Sequence, residues 1–343
     1  MQNINQTLGQ YSELFMLLAA LAYTAGFLAF TWDLVKSSRR IREIEAALAE
    51  SAGDRELVLA GAVAGKGGKA AGDGAAPAGA TADDAMNYQG ERRTVARIAV
   101  VLTVLAAAIH AVAVVTRGVA AGRVPWGNMY EFCTTGGLVV AVVFLLVLTR
   151  KDLRFLGTFV IGLVVVMLCA ATIGFPTPVA NLVPALQSYW LIIHVSVAVA
   201  ASALFTLTFA MSVLQLMQAN RVARLAAGGD DRLPFMRLVP SALSLENLSY
   251  RINAIAFVLW TFTLMAGAIW AEKAWGRYWG WDTKEVWTFV IWVVYAGYLH
   301  ARATRGWTGT RAAWLSIVGY LCIVFNFTIV NIYFSGLHSY AGV

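Results

Sequence analysis

Charge is scarce in this chain of 343 residues: 13% are Asp, Glu, Lys or Arg, while 59% are hydrophobic. An ordinary soluble domain carries about 25% charged residues, so a soluble enzyme or binding module is excluded. Cysteine is almost absent. Cys133, Cys169 and Cys322 each lie inside an apolar run, and none forms a Cys-x-x-Cys pair. That excludes a disulfide scaffold and a thiol-based redox or zinc motif, and leaves small core residues. Without a Cys-x-x-Cys-His the chain is not itself a c-type cytochrome. Histidine is limited to His110, His194, His300 and His338. The stretch Gly61-Ala62-Val63-Ala64-Gly65-Lys66-Gly67 is one residue short of a phosphate loop and has no Ser or Thr after the Lys, so nucleotide binding has no support. The N-terminus has no basic flank before its first apolar run, which predicts a retained helix rather than a signal peptide.

What is present in quantity is long apolar runs. Eight are long enough to cross about 30 Å of hydrocarbon, near 14–35, 95–116, 131–149, 155–173, 189–217, 253–272, 286–302 and 313–334. The expectation is an all-α polytopic membrane protein with about eight transmembrane helices. The connections alternate in charge. One set, from Lys36 to Arg97, Arg150 to Arg154, Arg221 to Arg251 and Arg302 to Arg311, holds 21 of the 26 basic residues; the other has only Arg117, Arg123, Lys273, Arg277 and Lys284. The positive-inside rule assigns the first set to the cytoplasm, so both termini are expected outside the cell membrane. The net charge of +7 is then a topology signal, and nucleic acid is not an expected partner. Three regions follow. Residues 1–35 form an N-terminal transmembrane helix. Residues 36–94 are a cytoplasmic linker whose Ala/Gly-rich part, 51–90, is too poor in large side chains to order itself. Residues 95–343 form a membrane domain with an extracytoplasmic Trp-rich loop at 273–287. Loop 218–250, with Pro234 and Pro240, leaves room for a short surface helix. No sequence repeat is evident.

That Trp-rich loop, Trp275-Gly276-Arg277-Tyr278-Trp279-Gly280-Trp281-Asp282-Thr283-Lys284-Glu285-Val286-Trp287, concentrates rigid flat faces. Trp and Tyr are enriched at bilayer interfaces for reasons unrelated to ligands. An interfacial belt does not require Asp282, Lys284 and Glu285 among the rings, so the loop is expected to hold a flat ligand. Two further extracytoplasmic loops are informative: Val124 to Phe132, with Trp126, Tyr130 and Glu131, and 174–188, which has three prolines and no charge and is suited to capping a site.

Ionisable residues inside a membrane are costly and tend to be functional. His194 lies near the outer end of the fifth run and His338 just beyond the eighth, level with the tryptophans. Two imidazoles flanking an aromatic shelf suit axial ligation of a flat metal macrocycle. His300 lies some 20 Å deeper, counting about 1.5 Å per residue from Val286, close to Arg302 and Arg305, where an Arg can meet a propionate; it has no partner His at that depth. His110 is expected to be a core residue.

The run Trp275 to Trp287 resembles the tryptophan-rich (WWD) signature of haem-handling proteins of cytochrome c biogenesis. Trp126 to Phe132, Trp190 to Val195 around His194, Tyr298 to Arg302 around His300, and Leu337 to Tyr340 around His338 are similar to the CcsA branch (also ResC, in some bacteria CcsB) of system II. The resemblance covers residue 95 to the C-terminus. It implies haem b as bound cargo, carried to the outer face and joined by thioethers to the Cys-x-x-Cys-His of apocytochrome c. The chain would then be the membrane subunit of a haem lyase, with a separate ResB-type partner and a possible thiol-reducing protein. By resemblance His194 and His338 are external axial ligands, and His300 binds an inner haem with a second ligand from the partner. Trp275, Trp279, Trp281, Asp282 and Trp287 hold the haem edge. Lys284, Glu285, Trp126 and Arg302 are possible propionate or partner contacts, although Asp282 and Glu285 equally suit a helix cap and first-turn acid. The competing expectations are a CcmC-like protein passing haem to a chaperone, a structural subunit of a respiratory complex, and a permease for a non-haem solute, the last of which requires charge pairs within the helices.

Overall fold

The computed structural model describes residues 4–62, 86 and 93–338. Among the described residues the structure is helical, without strands: α1 Gln6–Ala62, α2 Thr94–Ala121, α3 Met129–Leu148, α4 Gly157–Cys169, α5 Tyr189–Ala226, α6 Ala242–Trp275, α7 Thr283–Thr304, α8 Thr310–Phe327 and the short α9 Ile329–Tyr333. Each expected span coincides with these elements to within a few residues. Seven of them, counting α8 with α9 and α4 with its flanking turns, are long and apolar enough to cross a membrane. The remaining long helix, α7, spans about 33 Å at 1.5 Å per residue and mixes aromatic with aliphatic residues, with Trp287, Trp292, Tyr295 and Tyr298 between polar ends. The chain is an all-α polytopic membrane protein.

The boundaries moved where polar residues continue a helix. α1 does not stop at the last apolar residue; it runs through the charged stretch to Ala62, so the first part of the expected linker is helical. Residues 63–85 and 87–92 of that linker, and Ser339 and Tyr340 of the tail, lie outside the described residues. In the loop after α5, the expected surface helix is a single 3-10 turn, Pro234–Leu238.

Packing divides into two cores that meet along α5. One joins α1 to α5 through Phe30, Phe144, Phe155 and Leu207. The α1–α2 contact runs along a line of small residues on α2 (Ala96, Ala99, Thr103, Ala106, Ala113), and small residues let membrane helices approach closely. The other core joins α5, α6, α7 and α8 and is aromatic: Phe205 stacks on Tyr295 at 3.8 Å, with Trp260 edge-on to Phe205. Leu17, Leu21, Val101, Val115, Val258 and Met265 face outward, as lipid contact requires.

At one end of the bundle lie the entrances of α3, α5 and α7 and the ends of α2, α6 and α9. There the second core opens into a cleft.

Candidate functional site

The cleft has an empty volume of about 1110 Å³, part of it open to solvent, and is walled by Trp126, Phe132, Trp260, Trp270, Trp279 and Phe327. His194 and His338 both line it, although 144 residues separate them in sequence. α5 presents His194 one turn and a half below its cap, where Ser188 accepts from the Trp190 N–H. His338 is delivered by the segment after α9.

Each imidazole is anchored through the same nitrogen. His194 Nδ1 lies 3.0 Å from the Thr263 carbonyl on α6. A carbonyl only accepts, so Nδ1 carries the proton. His338 Nδ1 lies 2.7 Å from Asp282 Oδ2, and an ionised carboxylate likewise requires the donor on Nδ1. In the neutral rings both Nε2 lone pairs are then left for a ligand, as carboxylate and carbonyl partners arrange for metal-bound histidines. The bond from His338, reinforced by the Leu337 N–H at 3.2 Å, holds the Asp282 carboxyl below its ordinary range. Gly267 is required beside His194, because a Cβ there would come within 2.7 Å of the ring.

Trp270 lies between the two histidines. It is stacked on His194 at 5.8 Å with 11° between planes, and edge-on to His338 at 5.4 Å. Trp275 backs this arrangement, edge-on to both Trp270 (4.7 Å) and His338 (4.9 Å). Trp270, Thr263 and Gly267 lie upstream of the Trp-rich loop in an apolar helix, and no local motif singles them out; only helical spacing, which puts 263, 267 and 270 on one face, hints at them.

The Trp-rich loop divides. Trp279 lines the cleft. Trp281 is 74% exposed, edge-on to Trp279 and the one tryptophan with a left-handed backbone, φ +59°. Trp287 is turned to Phe325 at 4.3 Å, and neither Trp281 nor Trp287 reaches the cleft. Asp282 is the N-cap of α7. Glu285 is buried and occupied: it accepts from the N–H groups of Gly280 (2.8 Å) and Asp282 (3.1 Å) and from Arg277 (3.2 Å). Its carboxylate shapes the loop, and Glu285 also lines the cleft. Lys284 lines the cleft and donates to the Asn326 carbonyl (2.9 Å) and to Asn331 Oδ1 (2.6 Å). The Trp126 indole N–H is buried without a partner among the described residues.

His300 is elsewhere. It is exposed at the far end of α7, roughly 25 Å from Thr283 along the helix. Neighbouring Arg302 is engaged by Glu246 and by Asn247 (2.8 Å) and lies over Tyr250. His110 is buried against Tyr23 in the first core, outside the cleft.

A pattern invisible as a sequence repeat recurs at two helix entrances. At α3, Asn128 caps the helix, and Glu131 accepts from the Gly127 N–H (2.7 Å) and from Arg123, eight residues upstream (2.7 Å). At α7, Asp282 caps, and Glu285 accepts from the Gly280 N–H and from Arg277, also eight residues upstream. Each glycine follows a tryptophan of the cleft wall, Trp126 or Trp279.

Residues 126–338 match the model of a family described as cytochrome C assembly protein. Among curated relatives, a protein of Guillardia theta named cytochrome c biogenesis protein CcsA is 34% identical over 253 residues, covering 69% of this chain and 83% of that protein. Proteins of the same name from Prochlorococcus marinus (35% over 262 residues, 67% and 79% covered) and a Synechococcus strain (34% over 278 residues, 74% and 88% covered) are similar to it as well.

Proposed function

This chain belongs to the cytochrome c assembly protein family, a cytochrome c biogenesis membrane protein similar to CcsA, and from that membership we propose that its aromatic cleft holds haem b for attachment to apocytochrome c. The observation that carries this reading is the pair of histidines on one cleft, each tethered through Nδ1 and each with Nε2 left over. Aromatic walls suit the macrocycle faces, and Lys284 and the unpartnered Trp126 N–H suit its carboxylates.

Haem is the cargo here. When bound it supplies two vinyl groups, across each of which a cysteine thiol adds: a C–S bond forms at one vinyl carbon, the thiol hydrogen goes to the other, and no net oxidant is consumed. The chain's own residues position. His194 and His338 fix the iron's place, Thr263 and Asp282 fix the two imidazoles, and Trp270 sets the space between them. Holding reactants in register is worth several kcal/mol, and acid–base chemistry by this chain is not needed. The histidine of an incoming Cys-x-x-Cys-His replaces one of the two ligands.

The cleft end carries few basic residues, while Arg93, Arg154, Arg237, Arg302 and Arg305 lie at the other end, so the positive-inside rule sets the cleft outside the plasma membrane. His300, exposed at the basic end, is available to a ligand shared with a second membrane subunit of the ResB type. A solute permease is disfavoured: among the described residues, Arg117–Glu131, Arg302–Glu246 and Arg277–Glu285 pair at helix ends rather than at mid-helix.

The test is the visible spectrum of the detergent-purified chain, with and without a ResB-type subunit. A low-spin b-type spectrum that is lost in His194→Ala and His338→Ala supports the cleft. A second pool lost only in His300→Ala, and only with the partner present, supports the inner site. A haem-free wild type whose histidine variants still mature cytochrome c overturns the reading.

A further inference from the structure

The segment between α4 and α5, residues 175–188, crosses the cleft end of the bundle as a strap, and it is fastened at both ends. At its start the Thr177 carbonyl accepts from Arg117 (2.7 Å) and the Ala180 carbonyl from Arg123 (3.0 Å). At its finish the Ala185 carbonyl accepts from the Trp270 indole N–H (3.1 Å). Between these points Leu182 presses on Gly127, and Leu186 is buried against Leu191 and Trp270 and lines the cleft.

Both arginines are themselves held by one carboxylate. Glu131 is fully buried. It takes Arg117 Nε at 3.0 Å, and its two oxygens take the Arg123 fork at 2.7 and 3.1 Å. Arg117 is 1% exposed and lies over the Tyr130 ring at 4.4 Å. A carboxylate that holds two guanidiniums rigid lets them present N–H groups to backbone carbonyls at fixed points. The chain of contacts therefore runs from Glu131 through Arg117 and Arg123 to the strap, and through Ala185 to Trp270, the ring between His194 and His338.

We propose that Glu131 is a positioning residue for the cleft: through Arg117, Arg123 and the 175–188 strap, it sets the place of Trp270 and hence the spacing of the two histidines. This rests on the proposed function for its consequence, though not for its mechanics. A purely structural role for Glu131 predicts lower stability and nothing local to the strap. A positioning role predicts release of the strap in a chain that is still folded, and altered histidine geometry.

The experiment uses the full chain with Glu131→Gln, with Arg123→Gln as a milder variant that leaves Arg117 paired, and with Trp270→Phe, which keeps a flat ring and loses the N–H. Circular dichroism establishes folding. Two readouts are taken without haem. Cleavage by a protease of broad specificity is expected to rise about tenfold within 177–182 in Glu131→Gln and Arg123→Gln, and within 185–188 alone in Trp270→Phe. Labelling of His194 and His338 by diethyl pyrocarbonate is expected to rise several-fold in all three. A third readout, on haem-loaded protein, is a shifted Soret band and faster displacement by imidazole, with haem still bound. If strap cleavage in folded Arg123→Gln equals wild type, the proposal fails. If the strap is released while histidine labelling is unchanged, Glu131 is structural only and the proposal also fails. If the haem-free changes appear and the wild type carries no haem, the positioning device stands and the proposed cargo is wrong.

Discussion

The chain enters α3 and α7 through corners made of the same parts: an arginine, a Trp-Gly pair, an Asx cap, and a glutamate eight residues after the arginine that gathers the arginine and the glycine N–H. They differ in what surrounds the glutamate and in what the cap does. At α3 a second guanidinium, Arg117, is sealed in with Glu131, and the Asn128 side chain serves the helix alone by accepting from the Glu131 N–H (2.9 Å). At α7, among the described residues, no second arginine joins Glu285; Arg277 is 31% exposed, and the cap is a carboxylate turned to His338. The first corner fastens the 175–188 strap through its two arginines, and the second turns a carboxylate to a histidine that lines the cleft. One architecture serves both because a capped helix entrance leaves one acceptor to spare only when the cap is charged.

The sharpest way to break this comparison is to remove the glutamates in turn. Glu131→Ala leaves Arg117 buried and uncompensated, and breaking a buried ion pair costs about 3–5 kcal/mol. Glu285→Ala leaves Gly280 and Asp282 N–H groups short of a partner, but Arg277 can reach water, so the loss is about 1–3 kcal/mol. Thermal unfolding in detergent, followed by circular dichroism, distinguishes them. Equal losses would mean that the corners are energetically alike and that burial of Arg117 does not separate them.

Next in size is the cap. Asp282→Asn turns the second corner into a copy of the first: Asn caps as well as Asp, so stability should change by less than about 0.5 kcal/mol. The carboxylate charge that faces His338 is lost, and losing the carboxylate partner of a metal-bound histidine lowers metal affinity about 10–100-fold. Haem retention during purification is the measurement. The pH dependence follows from the depressed Asp282 pKa. A carboxylate stabilised in the folded state contributes above its unfolded value of about 3.9, and the contribution is lost as pH falls through the folded value. The folding stability of haem-free wild type relative to Asp282→Asn, followed by thermal unfolding, should therefore be flat from pH 8 to 5 and fall only below about pH 4. A relative loss that sets in near pH 6 would mean that Asp282 is not the group responsible.

The same comparison shows what the sequence could and could not reveal. Membrane helices were legible because long apolar runs have one solution in lipid, a helix. Their ends were less so: α1 continues past Asp33 to Ala62, and α6 begins at Ala242, eleven residues before its apolar run, behind the Ser241 cap, because a helix continues through polar formers as readily as apolar ones. His194 and His338 were legible as residues at the level of the tryptophans. Their anchors were not. Thr263 contributes a backbone carbonyl, which no side-chain identity advertises, and Asp282 meets His338 across 56 residues. The recurrence of the two corners escaped because the spare residue sits differently in each: Pro125 precedes Trp126-Gly127, while Trp281 follows Trp279-Gly280. Any ungapped comparison therefore falls out of step.

That spare residue carries the smallest effect. Trp281 occupies the left-handed region at φ +59°, where a residue with a Cβ is disfavoured by roughly 1–2 kcal/mol. Its ring is 74% exposed and meets Trp279 edge-on, an aromatic contact worth about 0.5–1.5 kcal/mol. The two terms nearly cancel, so Trp281→Gly should leave the melting temperature unchanged or slightly raised, while Trp281→Ala, which keeps the backbone penalty and loses the contact, should lower it by about 1 kcal/mol of stability. The pair isolates the backbone term from the ring. If Gly and Ala destabilise equally, the left-handed backbone stores no strain and the ring alone matters. If Gly stabilises while cytochrome c maturation falls, an exposed and strained tryptophan is retained for what it touches outside this chain, which is the difference between a corner that rivets and one that presents.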